Sequence, residues 1–194
     1  MRVRETDQSS RSLPITALRQ AALFSSIKCP GKLILSAYDL AQDLRKAGIT
    51  VVSGFHSPIE QECLRILLRS PNPVTWCLAR GQMRRIPSDL REAFAAGRLR
   101  IVAPFPDKVR RVTTATSERR NRIVADMAAA VIVVHAAPGS KVEALCLDLL
   151  AAGKTVYTFD HPANATLIHA GAKVARSDMD WKAVLDASRP ARRR

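Results

Sequence analysis

Residues 130–153 read AVIVVHAAPGSKVEALCLDLLAAG, and this stretch decides the fold. Its first part, 130–136, is a nearly continuous apolar run, which is typical of a strand buried on both faces of a parallel sheet. Ser140 and Glu143 then have the spacing of a helix capping box, and Gly153 is a typical stop at the end of the helix. A buried strand followed directly by a helix predicts an α/β domain.

The same alternation extends outward in both directions along the chain. Apolar runs predict further strands at 21–27, 49–53, 74–79, 99–103 and 155–160, with a short final strand near 172–175. Helical periodicity predicts helices at 33–47, 58–69, 87–96, 116–129, 140–152 and 178–187. We therefore expect one domain over residues 17–187, a doubly wound, mostly parallel Rossmann-like sheet with helices on both faces. Residues 1–16 and 188–194 are interpreted as basic flexible tails.

Composition excludes several classes of protein. The chain has 194 residues, 47% of them hydrophobic, so it is not expected to be disordered as a whole. No apolar run is long enough to span a membrane, and the polar N-terminus lacks the apolar core of a secretory signal. We expect a cytoplasmic protein without a membrane partner.

The net charge of +14 is concentrated in part of the chain. Residues 80–122 hold twelve Lys or Arg against four acidic residues, and much of the remaining excess lies in the two tails. A concentrated positive charge attracts polyanions such as nucleic acids. The alternative interpretation is an Arg-rich surface without a ligand.

Cysteine and histidine spacing argues against a metal or redox centre. The four cysteines form no C-x-x-C pair, and the four histidines show no i, i+4 pairing. Cys77 and Cys146 lie in apolar surroundings and are interpreted as reduced core thiols. We therefore predict neither a metal site nor a cofactor.

Candidate ligand-binding residues follow three of the predicted strands. Ligands of doubly wound sheets bind beyond the carboxyl ends of the strands, where the strand order reverses. The candidates are Ser25, Ser26 and Lys28 after the first strand, Ser53, Gly54 and His56 after the second, and Gly139, Ser140 and Lys141 after the fifth. Hydroxyls, glycine amides and Lys at helix starts suit phosphate. The structural alternative is that they belong to plain connecting loops and helix caps.

A basic helix start adds four further candidates. The run 113–124, TTATSERRNRIV, predicts a helix opening at Thr116 with three Arg in its first turn. Positive charge there opposes the helix dipole, a cost that a bound anion offsets. We therefore interpret Arg119, Arg120, Asn121 and Arg122 as phosphate ligands, against the alternative of a solvated basic face.

Two segments resemble the DNA-processing protein A (DprA/Smf) family. Residues 120–134, RNRIVADMAAAVIVV, are similar to its R-N-R-I-I-A-G helix and the V-V-V-V-E-A strand that follows. Residues 44–54, LRKAGITVVSG, are similar to its L-a-x-x-G-x-x-V-V-S-G segment. The resemblance implies a homodimer that binds single-stranded DNA during DNA uptake and recombination and loads a recombinase. It points to Ser53, Gly54, Arg120, Asn121, Arg122 and Ser140.

This sequence departs from the family pattern at the loops. The family's G-S-R after the first strand is SSIK at 25–28, its segment after S-G is FHSPIE at 55–60, and its Glu after the fifth strand is His135. These differences concern the binding residues and leave the fold prediction unchanged.

A related family provides an alternative function. Residues 138–143, PGSKVE, resemble the P-G-G-x-G-T-x-x-E motif of the lysine-decarboxylase-like nucleotide phosphoribohydrolases. In that interpretation Arg120 holds a nucleotide phosphate and Glu143 assists N-glycosidic hydrolysis. A third possibility is a non-catalytic sensor of a nucleotide-derived ligand. We expect binding rather than catalysis, so no catalytic residue is assigned under the main interpretation.

Overall fold

A computed structural model describes residues 20–188 of the chain. Seven parallel strands form one sheet in the order β4-β3-β2-β1-β5-β6-β7. They are β1 (Gln20–Phe24), β2 (Thr50–Ser53), β3 (Val74–Cys77), β4 (Leu99–Val102), β5 (Ala130–Val133), β6 (Val156–Thr158) and β7 (Lys173–Val174). The predicted tails, 1–16 and 188–194, lie outside the described residues except for Ser188.

Helices connect successive strands and cover the sheet. They are α1 (Gly31–Lys46), α2 (Pro58–Leu67), α3 (Arg91–Ala95), α4 (Thr114–Met127), α5 (Lys141–Ala151), α6 (Ala165–His169) and α7 (Trp181–Ala187). This architecture confirms the predicted doubly wound parallel α/β fold. Among the described residues, no helix is long and apolar enough to cross a membrane.

The two faces of β1 contribute to two separate cores. Ala21 and Leu23 pack into one cluster, together with the buried face of α1. Ala22 and Phe24 pack into the other, which includes Val124 of α4 and residues of α5. Because β1 is buried on both faces, its whole sequence is apolar apart from Gln20, as the continuous apolar runs predicted.

The centre of the sheet determines where a ligand can bind. β1 pairs with β2 on one side and with β5 on the other, with Ala21 opposite Ala130 and Phe24 opposite Val133. The chain winds outward in opposite directions from β1 and β5. The loops that follow these two strands therefore diverge and leave a crevice between them.

The predicted start of α4 was wrong by two residues. The cap is Thr113, which forms a reciprocal capping box with Thr116, and the helix begins at Thr114. Arg119, Arg120 and Arg122 therefore lie beyond the first turn. The helix dipole therefore does not oppose their charge as predicted, because its effect is confined to the first turn.

Other element boundaries also differ from the sequence prediction. The segment 162–169, which lies outside every predicted helix, forms a 3-10 turn followed by the short helix α6. Helix α7 begins at Trp181 instead of residue 178, because Asp180 caps it by accepting amide hydrogen bonds from Lys182 and Ala183. Short helices of this kind carry too few apolar residues to show a period.

A matched pair of substitutions on α1 tests the predicted core. Leu44 is completely buried, whereas Leu35 on the same helix is 66% exposed. We expect Leu44→Ala to lower the free energy of unfolding by about 2–5 kcal/mol, because it leaves a cavity. Leu35→Ala should change it by less than about 0.5 kcal/mol. Urea unfolding followed by circular dichroism measures both, and equal losses would contradict the assigned helix face.

Candidate functional site

A groove of about 890 Å³ lies at the carboxyl edge of the sheet, between the loops that follow β1 and β5 and the start of α4. We call it the crossover groove, because the strand order reverses beneath it. Eight of the thirteen predicted ligand residues line it: Ser25, Ser26, Lys28, His56, Arg120, Asn121, Ser140 and Lys141. The structure thus brings together candidates from three loops and one helix.

Two of the predicted arginines lie outside the lining of this groove. The guanidinium of Arg119 lies 5.6 Å from the ring centre of Phe105, a cation–π contact. Arg122 forms an exposed ion pair with Asp148 of α5, with Nη2 and Oδ2 separated by 2.7 Å. Both side chains have partners within the protein.

Two further candidates act as structural supports. Ser53 is fully buried, and its Oγ donates to the carbonyl of Leu23 at 2.7 Å. Gly139 occupies a left-handed turn with a φ of +71°, and its amide donates to Oε2 of Glu143 at 2.7 Å. The Glu143 carboxylate therefore completes the turn before α5 and does not line the crossover groove.

A buried carboxylate, Glu60 of α2, organises the loops beneath the groove. Its Oε1 accepts the amide of Ser25 at 2.8 Å, and its Oε2 accepts the amide of His56 at 2.7 Å. One side chain thereby fixes the loops after β1 and β2. Ser57 and Glu60 have capping-box spacing in the sequence, and Ser57 does cap α2 by accepting the amide of Glu60. Glu60 is absent from the predicted site residues because its partner Ser25 lies 35 residues away in the chain.

The electrostatic environment of Glu60 contains opposing effects. Complete burial raises the pKa of this carboxyl above its usual range. The amides of Ser25 and His56 lower the pKa against that effect, as does the positive charge of Arg120. Desolvation is the larger influence, because an ionised carboxylate loses its hydration when it is buried.

Arg120 reaches the groove by passing directly over Gly54. A Cβ at position 54 would lie 1.5 Å from Nη1 of Arg120, so only glycine leaves room for the guanidinium. Nη1 donates to the carbonyl of Cys77 at 3.2 Å, and Nε donates to Oδ1 of Asn121 at 2.8 Å. The family-like S-G and R-N-R segments thus meet in space and depend on each other.

The outer edge of Arg120 has no partner within residues 20–188. The residue is only 5% exposed, and burial lowers the pKa of its guanidinium while the nearby Glu60 raises it. Nη2 makes no hydrogen bond within these residues and is not among the buried polar atoms that lack a partner. It therefore contacts solvent, and Arg120 lines both the crossover groove and a smaller cavity beside it. A fixed guanidinium with an unused donor edge is suited to a phosphate oxygen.

Hydroxyl groups join the two central loops across the crevice. Oγ of Ser26 accepts the amide of Ala137 at 2.9 Å and donates to Oγ of Ser140 at 3.3 Å. Oγ of Ser140 also accepts the amide of Glu143, so it caps α5 at the groove wall. These hydrogen bonds hold the loops after β1 and β5 at a fixed separation, in addition to any contact of the serines with a ligand.

The start of α4 contributes residues that the sequence analysis did not select. Thr113, Thr114 and Ser117 all line the groove, and the first turn of α4 contains no acidic residue. The amides at a helix N-terminus and nearby hydroxyls are donors for anions. Recognising Thr113 as the cap of α4 in the sequence would have identified these three residues, because it places them at the start of the helix.

Three of the four thiols are unsuited to nucleophilic chemistry. All four cysteines are free, and Cys63, Cys77 and Cys146 are buried. The reduced core thiols predicted at positions 77 and 146 are thereby confirmed. Burial raises the pKa of Cys77 to about 11 and those of Cys63 and Cys146 to about 12. These thiols stay protonated at neutral pH, where a reactive thiolate is absent.

A double-mutant cycle tests the dependence of Arg120 on Gly54. We expect Gly54→Ala to lower the free energy of unfolding, because the new methyl group displaces the guanidinium. In an Arg120→Ala background the same change should cost at least about 1 kcal/mol less. Gly31→Ala is the control, since a Cβ there meets nothing within 4 Å. Denaturant unfolding gives the free energy of unfolding of the unaltered protein, the two single variants and the double variant. Additive losses would contradict the close packing of Arg120 over Gly54.

The pH dependence of stability tests the environment of Glu60. Because burial raises the pKa of Glu60 in the folded state, this group favours folding most at pH below the ordinary glutamate value of about 4.3. That contribution is lost as the pH rises through the folded-state pKa. The difference in unfolding free energy between the unaltered protein and Glu60→Gln should therefore fall with rising pH. A difference that grew with pH would mean that the amide donors outweigh desolvation.

Two solved structures of DNA processing protein A have a fold similar to that of this chain. DNA processing protein A from Streptococcus pneumoniae matches with a TM-score of 0.71 at 18% identity, over 87% of this chain and 62% of that protein. The Helicobacter pylori protein, whose structure describes a single-stranded DNA binding mode, matches with a TM-score of 0.71 at 15% identity, over 87% of this chain and 80% of that one. This chain therefore spans less than two thirds of the length of the Streptococcus protein.

A more distant similarity extends to another binding protein. The molybdenum cofactor binding protein of Rippkaea orientalis matches with a TM-score of 0.61 at 12% identity, over 88% of this chain and 96% of that protein. At these identities the structural likeness shows the fold alone. No curated protein sequence matches the chain.

The sequence itself gives the more specific assignment. The family described as DNA recombination-mediator protein A matches residues 12–185, which includes both segments that meet at Gly54 and Arg120. This chain therefore belongs to the DNA recombination-mediator protein A family.

Proposed function

We propose that this protein binds single-stranded DNA in the crossover groove, through its phosphates, during DNA processing and recombination. The observation that carries the proposal is Arg120, a nearly buried residue that lines the groove and whose Nη2 makes no hydrogen bond within residues 20–188. A cation held in place before binding loses little side-chain entropy when a phosphate arrives.

The other groove residues support an anionic ligand. Lys28 and Lys141 are exposed at the wall, and Lys141 pairs with the half-buried Glu118 at 2.9 Å. The carboxylate of Glu60 also borders the groove, but it is buried and engaged by amides. Family membership points in the same direction, and so does the Helicobacter pylori relative described as binding single-stranded DNA.

Phosphate contacts are expected to dominate over base stacking. No Phe, Tyr or Trp lines the crossover groove within residues 20–188. Proteins that stack bases on aromatic side chains gain roughly 1–3 kcal/mol per base, a contribution this groove does not offer. Binding should therefore tolerate different sequences and weaken steeply with salt.

A nucleotide-derived small ligand is the second candidate. The groove volume of about 890 Å³ lies within the range typical of small-molecule sites, roughly 300–1,000 Å³. Hydrolysis is less well supported than binding, because Glu143 is engaged by the Gly139 amide outside the groove lining. Competition by a nucleoside monophosphate separates this candidate from a polynucleotide ligand.

The family resemblance also leads us to propose a homodimer, a recombinase as partner and a cytoplasmic location. These belong to the whole protein in its cell, and the groove geometry does not bear on them. They remain predictions.

Removing the exposed lysines of the groove tests the proposed function. We expect Lys28→Ala with Lys141→Ala to weaken binding of single-stranded oligonucleotides, because both ammonium groups border the phosphate path. The slope of log affinity against log salt should become shallower by about 0.7 for each phosphate that the variant no longer neutralises. Fluorescence anisotropy across a salt series measures both quantities.

The control removes two cations from the opposite edge of the sheet. Lys46 and Arg69 are exposed at or just beyond the ends of α1 and α2, and Lys46→Ala with Arg69→Ala changes the net charge equally. We expect this variant to bind as the unaltered protein does. An unchanged slope in the groove variant, or displacement of the oligonucleotide by micromolar nucleoside monophosphate, would contradict binding of a DNA strand in this groove.

A further inference from the structure

A second cavity, of about 810 Å³, lies next to the crossover groove and contains a cluster of arginines. It is formed by the loop after β3 and the loop between β4 and α4. We call it the arginine groove, after Arg80, Arg84, Arg85 and Arg110 in its lining. A single acidic residue, Asp107, lines it with them.

The two loops of the arginine groove are fastened together by backbone contacts. The amide of Gly81 donates to the carbonyl of Val109 at 2.8 Å, and the amide of Gln82 donates to Oδ1 of Asp107 at 3.1 Å. A Cβ at position 81 would lie 2.6 Å from both Cα of Asp107 and the carbonyl oxygen of Pro106. Only glycine allows this approach, so the shape of the groove is built into the backbone.

The positive charge of the arginine groove is not neutralised within residues 20–188. None of its four arginines takes part in an ion pair there, in contrast to Arg98, Arg122 and Arg176 elsewhere on the surface. The one carboxylate present, Asp107, offsets only one of the four positive charges. Like charges held in one concave surface raise the local potential and attract a polyanion.

A smaller cavity of about 200 Å³, here called the connecting cavity, lies between the two grooves. It shares Arg80 and Met83 with the arginine groove, and it shares His56, Val112 and Arg120 with the crossover groove. The three cavities therefore lie next to one another and outline a path along the protein surface. A single nucleotide occupies one part of such a path, whereas the phosphates of a polymer repeat along it.

We propose that a DNA strand leaving the crossover groove continues through the connecting cavity and places its flanking phosphates in the arginine groove. This inference rests on the proposed function and adds the course of the DNA strand and a second set of phosphate-binding residues. The arginines around residue 84 thereby extend the length of DNA that the protein covers. They contribute little to a fragment short enough to fit the crossover groove alone.

The length dependence of a charge-reversal variant tests this path. Arg84 and Arg85 are exposed and make no hydrogen bond or ion pair within residues 20–188, so Arg84→Glu with Arg85→Glu should leave the fold intact. Oligothymidylates of about 4 and about 16 nucleotides span the usual range of single-strand site sizes. We expect the variant to lose at least about tenfold in affinity for the longer strand, with a salt slope shallower by about 1.4. Its affinity for the shorter strand should stay within about twofold.

Lys46→Glu with Arg69→Glu is the matched control, because it changes the net charge equally at the opposite edge of the sheet. Equal losses for both variants would overturn the inference, since general charge would then explain them. Equal losses for both oligonucleotide lengths, or none for either, would also overturn it. Absence of binding by the unaltered protein at every length would contradict the proposed function instead, so the two failures are distinguishable.

Tryptophan fluorescence provides an independent measure of the strand position. Trp76 is partly exposed in the connecting cavity and is fixed there by a 3.0 Å hydrogen bond from Nε1 to the carbonyl of Gly54. The second tryptophan of the chain, Trp181, is only 2% exposed. We expect the longer strand to quench the emission more than the shorter one at saturation. Equal quenching by both lengths would place the strand outside this path.

Discussion

The buried carboxylate of Glu60 is the interaction on which the binding edge depends. It accepts the amides of Ser25 and His56, so the loops after β1 and β2 have a common anchor. Backbone donors facing inward at that depth need an acceptor, since an unsatisfied buried amide costs about 1–3 kcal/mol. With these loops fixed, the groove above them keeps its width before any ligand arrives.

Arg120 depends on this anchor and on Gly54. The guanidinium occupies the volume that a side chain at position 54 would need, and its charge lies close to the Glu60 carboxylate. A buried cation is tolerated when an anion and fixed acceptors compensate for lost hydration. The strained backbone of Phe55, with a φ of +44°, is in the same loop and turns the chain between Gly54 and His56. Strain of this kind is common where a site is preorganised.

The net charge of +14 is only partly explained by the crossover groove. Arg119 and Arg122, two of the arginines that suggested the site, are engaged by Phe105 and Asp148. Four other arginines of the same basic segment line the neighbouring arginine groove and have no such partners within residues 20–188. Position in three dimensions therefore separates structural cations from those available to a polyanion.

The sequence by itself determined the alternation of strands and helices along the chain as far as β6, the parallel sheet and the buried face of α1, because apolar periodicity is a local property. The continuous runs such as 130–136 and the period of Leu33, Ala37, Leu40, Ala41 and Leu44 were sufficient. The role of Glu60, the contact of Arg120 with Gly54 and the arginine groove were decided only by the tertiary structure. Glu60 and Ser25 are 35 residues apart. Hydrogen bonds and close packing between such distant residues leave no periodic signal, since they arise only when the sheet brings the carboxyl ends of its strands together.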